Sequence, residues 1–196
     1  MILLHSCCGP CAEWPAHVLR DEGQDVRLYF YNPNIQPETE WSRRREAFVQ
    51  MAELRNFAYF IDGTSEEEVW RSFTSEKKSV HCRYCYTMRM LMTAKKAKEE
   101  SCSAFTTSLL VSPYQDHEMI YEAMDLAAKR YGVTALKRDF RDGYSKGQEM
   151  ALEDGLYRQK YCACIYSILE SPRFLKKITK DLNLDRSALP SRLSNE

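Results

Sequence analysis

Met1-Ile2-Leu3-Leu4-His5-Ser6-Cys7-Cys8-Gly9-Pro10-Cys11 is the stretch on which the reading of the chain turns. Its apolar opening has the length and character of a buried strand. Gly9 and Pro10 are expected to stop that strand and turn the chain. The three thiols then stand in a loop at the carboxyl end of the first strand, where open α/β folds place their ligands. Residues 7–11 are read as one wall of a metal site, with Cys82-Arg83-Tyr84-Cys85 and Cys162-Ala163-Cys164 as the others. Thiols three positions apart converge at a turn or a helix start and can grip one metal. Cys82 is expected to open a long helix, whose free N–H groups favour thiolates or an anionic cluster.

The adjacent pair Cys7-Cys8 sets a constraint. Neighbouring side chains in an extended chain point opposite ways, so two adjacent metal centres, or one metal and a free thiolate, fit better than one shared ion. The count agrees. A [4Fe–4S] cluster takes four cysteines, and the remaining three of Cys7, Cys8, Cys11, Cys82, Cys85, Cys162 and Cys164 can hold a second metal with an open position. Two other readings stay open. One is a zinc site with four thiolates that merely ties loops together. The other is a dithiol oxidoreductase of glutaredoxin type built on Cys8-Gly9-Pro10-Cys11, for which Cys7 and both later pairs are superfluous. Cys102 stands alone and reads as core.

Strands are expected at residues 1–6, 25–31, 57–61, 103–108 and 133–139, alternating with helices at 13–20, 38–54, 65–73, 82–100, 117–131 and 145–153. A last helix, interrupted near Pro172, should end about Leu182. Residues 74–81 and 109–114 read as loops, and 62–81 as an insertion. The pattern is an α/β fold: a five-stranded parallel sheet with helices on both faces and a C-terminal helical segment. A chain of 196 residues fits one domain over 1–185 with a polar tail at 186–196. Lysine and arginine balance the acids at 28 each, so a nucleic-acid partner must be held by local basic patches. No secretory leader and no membrane-length apolar run is visible. Eight cysteines in such a chain point to metal or redox chemistry in the cytoplasm, with no membrane partner.

Six motifs taken together, LLHSCCGPC (3–11), YNPNIQP (31–37), CRYCY (82–86), TTSLLVSPYQDHE (106–118), RDFRDG (138–143) and GLYRQKYCACIYS (155–167), resemble the QueH-type epoxyqueuosine reductase family. The resemblance runs from residue 3 to about residue 167. It implies reduction of the epoxide of epoxyqueuosine, at the wobble position of a tRNA, to the alkene of queuosine without cobalamin. It further implies a [4Fe–4S] cluster beside a second mononuclear metal, iron or zinc, and an external electron donor. The implied fold is Rossmann-like, of nucleotide-hydrolase type, with strand order 3-2-1-4-5. Cysteines stand where such relatives carry a phosphate-binding loop, so no ATP use is expected. The family often has alanine at the position of Gly9 and glycine at that of Ala163. Where some relatives have aspartate at the position of Cys11, that residue is either a ligand of the second metal or a bystander.

Removing an epoxide oxygen takes two electrons and two protons and releases water. Candidate proton donors are Tyr114, Asp116 and His117, after the fourth strand. Asn32 and Asn34 offer amides that can read a base or ribose edge, and Gln115 lies on the facing loop. Tyr31, Tyr86 and Tyr114 suit stacking on an extruded base. Arg138, Arg141, Arg158 and Lys160 suit phosphates, and Arg173, Lys176, Lys177 and Lys180 form an acid-free stretch for a tRNA backbone. A zinc-stabilised RNA-binding module is the alternative from another functional class.

Overall fold

The structure, a computed structural model, describes residues 1–72, 78–164, 167–168, 171 and 175–182. Five strands, β1 Ile2–His5, β2 Val26–Phe30, β3 Tyr59–Ile61, β4 Ala104–Thr107 and β5 Thr134–Ala135, form one sheet in the order β3-β2-β1-β4-β5. Every pairing is parallel. β1 is central and wholly buried, which is why it reads as an unbroken apolar run rather than an alternating one. The helices are α1 Gly9–Asp21, α2 Glu38–Leu54, α3 Glu67–Ser72, α4 Lys78–Glu99, α5 His117–Tyr131, α6 Tyr144–Glu153 and α7 Leu175–Asp181.

The order reverses at β1. Right-handed crossovers then put α1 and α2 on one face and α4 and α5 on the other. The packing agrees: α1 lies against α2 and α6, whereas α4 lies against α5, β1 and β4. The crevice at the carboxyl ends of β1 and β4 is therefore the topological switch point. His5 marks it, paired in register with Tyr29 of β2 and Thr107 of β4. Gly132, at φ 69°, closes α5 in the left-handed conformation, the usual glycine cap.

Four local expectations are corrected. Helix α1 starts at Gly9, not at residue 13, because Pro10 in a first turn supplies a ready helical φ and lacks only an N–H that would be unpaired there. Gly9 and Pro10 thus begin a helix where they were expected to make a loop. Helix α4 starts at Lys78, so Cys82 and Cys85 lie inside it rather than at its open end. The early start is tertiary: His81, in the first turn, packs its ring on Trp70 of α3. Strand β5 keeps only two residues of the seven expected. It is an edge with one neighbour, and after Leu136 bonds Phe105 the polar run Lys137-Arg138-Asp139 leaves the sheet. Ser108–Val111, across the end of the fourth expected strand and the start of the expected loop at 109–114, form a buried 3-10 turn. The expected tail at 186–196, Pro172, Arg173 and residues 74–77 lie outside the described residues.

Candidate metal centre

The strand-to-helix junction after β1 builds the first part of the site. Cys8 is the N-cap of α1, in extended conformation, and Cys11 is the third helical residue. Those two positions face each other in any capped helix, so the C-x-x-C spacing brings their thiols together. Cys7 joins them. Its Sγ lies 3.8 Å from that of Cys8, and the sulfurs of Cys7, Cys8 and Cys11 all fall within 4.8 Å of one another. The expected divergence of Cys7 and Cys8 is corrected here. Strict alternation belongs to a strand, and β1 has already ended at His5.

Three thiolates about 2.3 Å from one tetrahedral ion would stand about 3.8 Å apart, so this donor set fits a metal. The sulfurs are buried. Hydrogen bonds from Cys11 and Cys8 hold the Cys7 thiol well below its ordinary range, while burial pushes Cys8 well above its own. The three thiols thus compete for one site of negative charge, an arrangement that suits a cation among them. Ser108 at the end of β4 accepts from the Cys7 N–H at 3.1 Å and donates to its Sγ at 3.5 Å. Gln159 donates to the Cys11 sulfur at 3.2 Å.

The other four thiols form a second group. Cys82 and Cys85 project from α4, and Cys162 and Cys164 from the segment after α6. Burial, followed by the charges of Cys162 and Cys82, pushes Cys85 up to about 12, with Arg89 opposing. Burial and then Cys162 and Cys85 push Cys164 up to about 12. These sulfurs lie within electrostatic reach of one another across more than 75 residues of chain. Gln115 links to them: it donates to Cys162 Sγ at 3.3 Å and accepts from Tyr86 Oη at 2.7 Å.

A clamp on α2 seats the late cysteines. Arg44 and Glu40 are buried and bond at 2.7 Å. Arg44 donates to the carbonyls of Tyr161, at 3.0 Å, and Cys162. Tyr157 donates to Glu40 at 2.6 Å, Tyr161 to the Gln36 carbonyl at 2.5 Å, and the Gln36 N–H to the Ala163 carbonyl at 3.0 Å. Arg44, Arg89, Gln159, Ser108 and Tyr144 were not singled out in the sequence. Nothing local marks a buried arginine; only its neighbours do.

The remaining sequence candidates divide by position. Asn32 and Asn34 are buried. Asn32 donates to the Ser6 carbonyl at 2.9 Å, while both amide atoms of Asn34 are buried with no partner among the described residues. Tyr114 is 81% exposed and stands edge-on to Tyr144, which in turn senses Cys11, Cys8 and Arg158. Asp116 caps α5 by accepting from the Met119 N–H at 3.0 Å. His117 is buried and bonds the Ser112 carbonyl at 3.1 Å. Arg138 pairs with Glu22, Arg141 with Asp139, and Arg158 bonds Gln148. Lys176, Lys177 and Lys180 lie exposed on α7. Cys102 is buried near the amino terminus, Arg27 and Glu100, at the amino-terminal end of β4 and away from the switch point.

Comparison with known proteins follows the same lines. The family model described as Epoxyqueuosine reductase QueH matches residues 2–170. The Epoxyqueuosine reductase QueH of Thermotoga maritima is 33% identical over 178 residues, covering 86% of this chain and 91% of the relative. That of Dehalococcoides mccartyi is 32% identical, with coverages of 86% and 93%. Among solved structures, the U34-tRNA thiolase NcsA from Methanococcus maripaludis with its [4Fe-4S] cluster superposes at TM-score 0.56 and 17% identity, over 98% of this chain and 74% of that one. A predicted subunit of tRNA methyltransferase from Methanocaldococcus jannaschii superposes at 0.54 and 12%, over 99% and 94%. At these identities the structural likeness shows the α/β fold.

Proposed function

The chain belongs to the QueH family of epoxyqueuosine reductases, and we propose from that premise that its two thiol groups hold two separate metal centres for reducing epoxyqueuosine in tRNA to queuosine. The carrying observation is the close triad of Cys7, Cys8 and Cys11 at the carboxyl end of β1, together with Cys162, which Gln115 after β4 ties to Tyr86 of α4 beside Cys85. Cys82, Cys85, Cys162 and Cys164 match in number the four ligands of a [4Fe–4S] cluster. Cys7, Cys8 and Cys11 match a mononuclear iron or zinc with one position left for substrate. When bound, such centres supply single electrons and Lewis-acid polarisation.

The protein's own groups do the rest. Reduction of the epoxide to the alkene consumes two electrons, from an external donor, and two protons, and the oxygen leaves as water. Tyr114 is the favoured proton donor of the three candidates, since its hydroxyl is open to solvent. Asp116 and His117 are already engaged in holding α5 and Ser112. Tyr114 and Tyr144 together form an aromatic ledge beside the triad, suited to stacking on an extruded base. The unpaired amide of Asn34 and the Gln115 amide, which bonds Cys162, are the proposed polar contacts. Arg138, Arg141 and Arg158, with the α7 lysines, are proposed for tRNA phosphates. The reaction is placed in the cytoplasm and needs no ATP. Among the described residues no helix is long and apolar enough to cross a membrane.

Anaerobic turnover of epoxyqueuosine-containing tRNA, with iron and acid-labile sulfide measured for each cysteine-to-serine variant, tests this. Replacing Cys82, Cys85, Cys162 or Cys164 should abolish the sulfide and its brown colour. Replacing Cys7, Cys8 or Cys11 should spare the sulfide and lower the content of the other metal. Wild-type protein that binds zinc alone, with no sulfide, would favour the RNA-binding module instead.

A further inference from the structure

Arg89 is buried to 1% exposure in the middle of α4. It lies one turn beyond Cys85 and two beyond Cys82, so all three share a helix face. Its Nη2 donates to the Cys85 sulfur at 3.0 Å and its Nε to the Cys85 carbonyl at 3.3 Å. Its guanidinium stands 5.9 Å from the centroid of the Tyr86 ring. No carboxylate pairs with it among the described residues, in contrast to Arg44, which has Glu40. The charged or titratable groups that it senses are Cys85, Cys162, Cys7 and Tyr86. A fully buried cation that meets no carboxylate among the described residues calls for a negative charge of another kind beside it.

We propose that Arg89 is the positioning and charge-balancing residue of the metal centres, its guanidinium offsetting the negative charge of the thiolate ligands in both groups and thereby raising the reduction potential of the cluster. This rests on the metal-binding reading above. A cluster held by four thiolates is anionic, and accepting an electron adds one more negative charge. A cation fixed at the ligand sulfur favours the reduced state, since net charge and hydrogen bonds to sulfur are the levers that set such potentials. Cys85, to which Arg89 is hydrogen-bonded, belongs to the quartet, and the same charge acts at longer range on Cys7 of the triad. Arginine suits the place because its charge is permanent and its planar fork reaches a sulfur and a carbonyl at once.

The test compares Arg89→Met and Arg89→Lys with wild type. Methionine keeps length and apolar bulk, and lysine keeps the charge. Each protein is checked by circular dichroism without metal, reconstituted anaerobically with iron and sulfide, and titrated by spectroelectrochemistry. Arg89→Met should fold and take up sulfide, yet show at least a tenfold lower reduced-to-oxidised ratio at fixed potential, a 59 mV fall for one electron. Arg89→Lys should stay within threefold of wild type. An unmoved potential in loaded Arg89→Met overturns the proposal. So does metal-free Arg89→Met that fails to fold, which would assign Arg89 to the core alone, or loaded Arg89→Lys that shifts as far as methionine, which would assign the effect to the fork and not to charge. Wild type without sulfide would instead remove the metal reading beneath it.

Discussion

Replacing Arg44 with methionine should be among the most damaging single changes available outside the cysteines. Arg44 and Glu40 are 1% and 0% exposed at their side chains. Removing one partner of a buried ion pair typically costs about 3–5 kcal/mol, because the other charge stays buried uncompensated. In Arg44→Met, the Glu40 carboxylate would retain, among the described residues, only the Tyr157 hydroxyl, and the carbonyls of Tyr161 and Cys162 would lose the Arg44 donors. Against a total stability of about 5–15 kcal/mol, that loss is severe. At a urea slope of about 2.5 kcal/mol/M, the midpoint should fall by about 1–2 M. The measurement is urea unfolding of metal-free, reduced protein under anaerobic conditions, which keeps metal linkage out of the comparison. The double variant Glu40→Gln/Arg44→Met should be more stable than the sum of the single effects implies, by about 1–3 kcal/mol. Thiol titration should find Cys164 reacting faster in Arg44→Met, since the clamp no longer seats residues 161–163. A midpoint within about 0.3 M of wild type, or strictly additive effects, would refute the clamp.

Gly9→Ala should cost about 1–3 kcal/mol by thermal melting. A Cβ there would sit 2.3 Å from the Ala47 carbonyl oxygen, a backbone atom of α2 that can yield only if the whole helix moves. A melting point equal to wild type would show that α1 and α2 separate freely. Hydrogen bonds from Arg141 lower Asp139 from 3.8 to about 2. A depressed acid stabilises the fold above its unfolded pKa and loses that contribution as pH falls, here between about 4 and 2. The pair is therefore intact at neutral pH, and Asp139→Asn should free Arg141 and steepen the salt dependence of tRNA affinity by about one unit of slope; an unchanged slope would remove Arg141 from the interface. Tyr114→Phe should lower kcat with little change in KM if the hydroxyl donates a proton, whereas Tyr114→Ala should also raise KM through lost stacking. Equal kinetics for Tyr114→Phe and wild type would leave the ring as the only working part.

The elements that carried strong local signals were legible in the sequence. Helix α2 spans Glu38–Leu54 and α5 His117–Tyr131, as the helical spacing of Trp41, Phe48 and Met51 and the Asp116 and Gly132 caps dictate. Strand order followed from the resemblance and is observed as β3-β2-β1-β4-β5. The start of α4 and the length of β5 were misread because both are decided by partners. Trp70 meets His81, and β5 lacks a second neighbour.

By itself the sequence determined which atoms do the chemistry: seven cysteines in three clusters, and a β-α pattern that sends the first cluster to the carboxyl end of a central strand. Only the tertiary structure decided how those sulfurs are shared. Cys7, Cys8 and Cys11 close on one another because β1 has ended before them and a helix begins among them, while Arg44 fixes the late segment that carries Cys162 and Cys164 against α2. Spacing along a chain records what lies one turn away. It carries no trace of the carbonyls, more than a hundred residues distant, that a buried arginine holds.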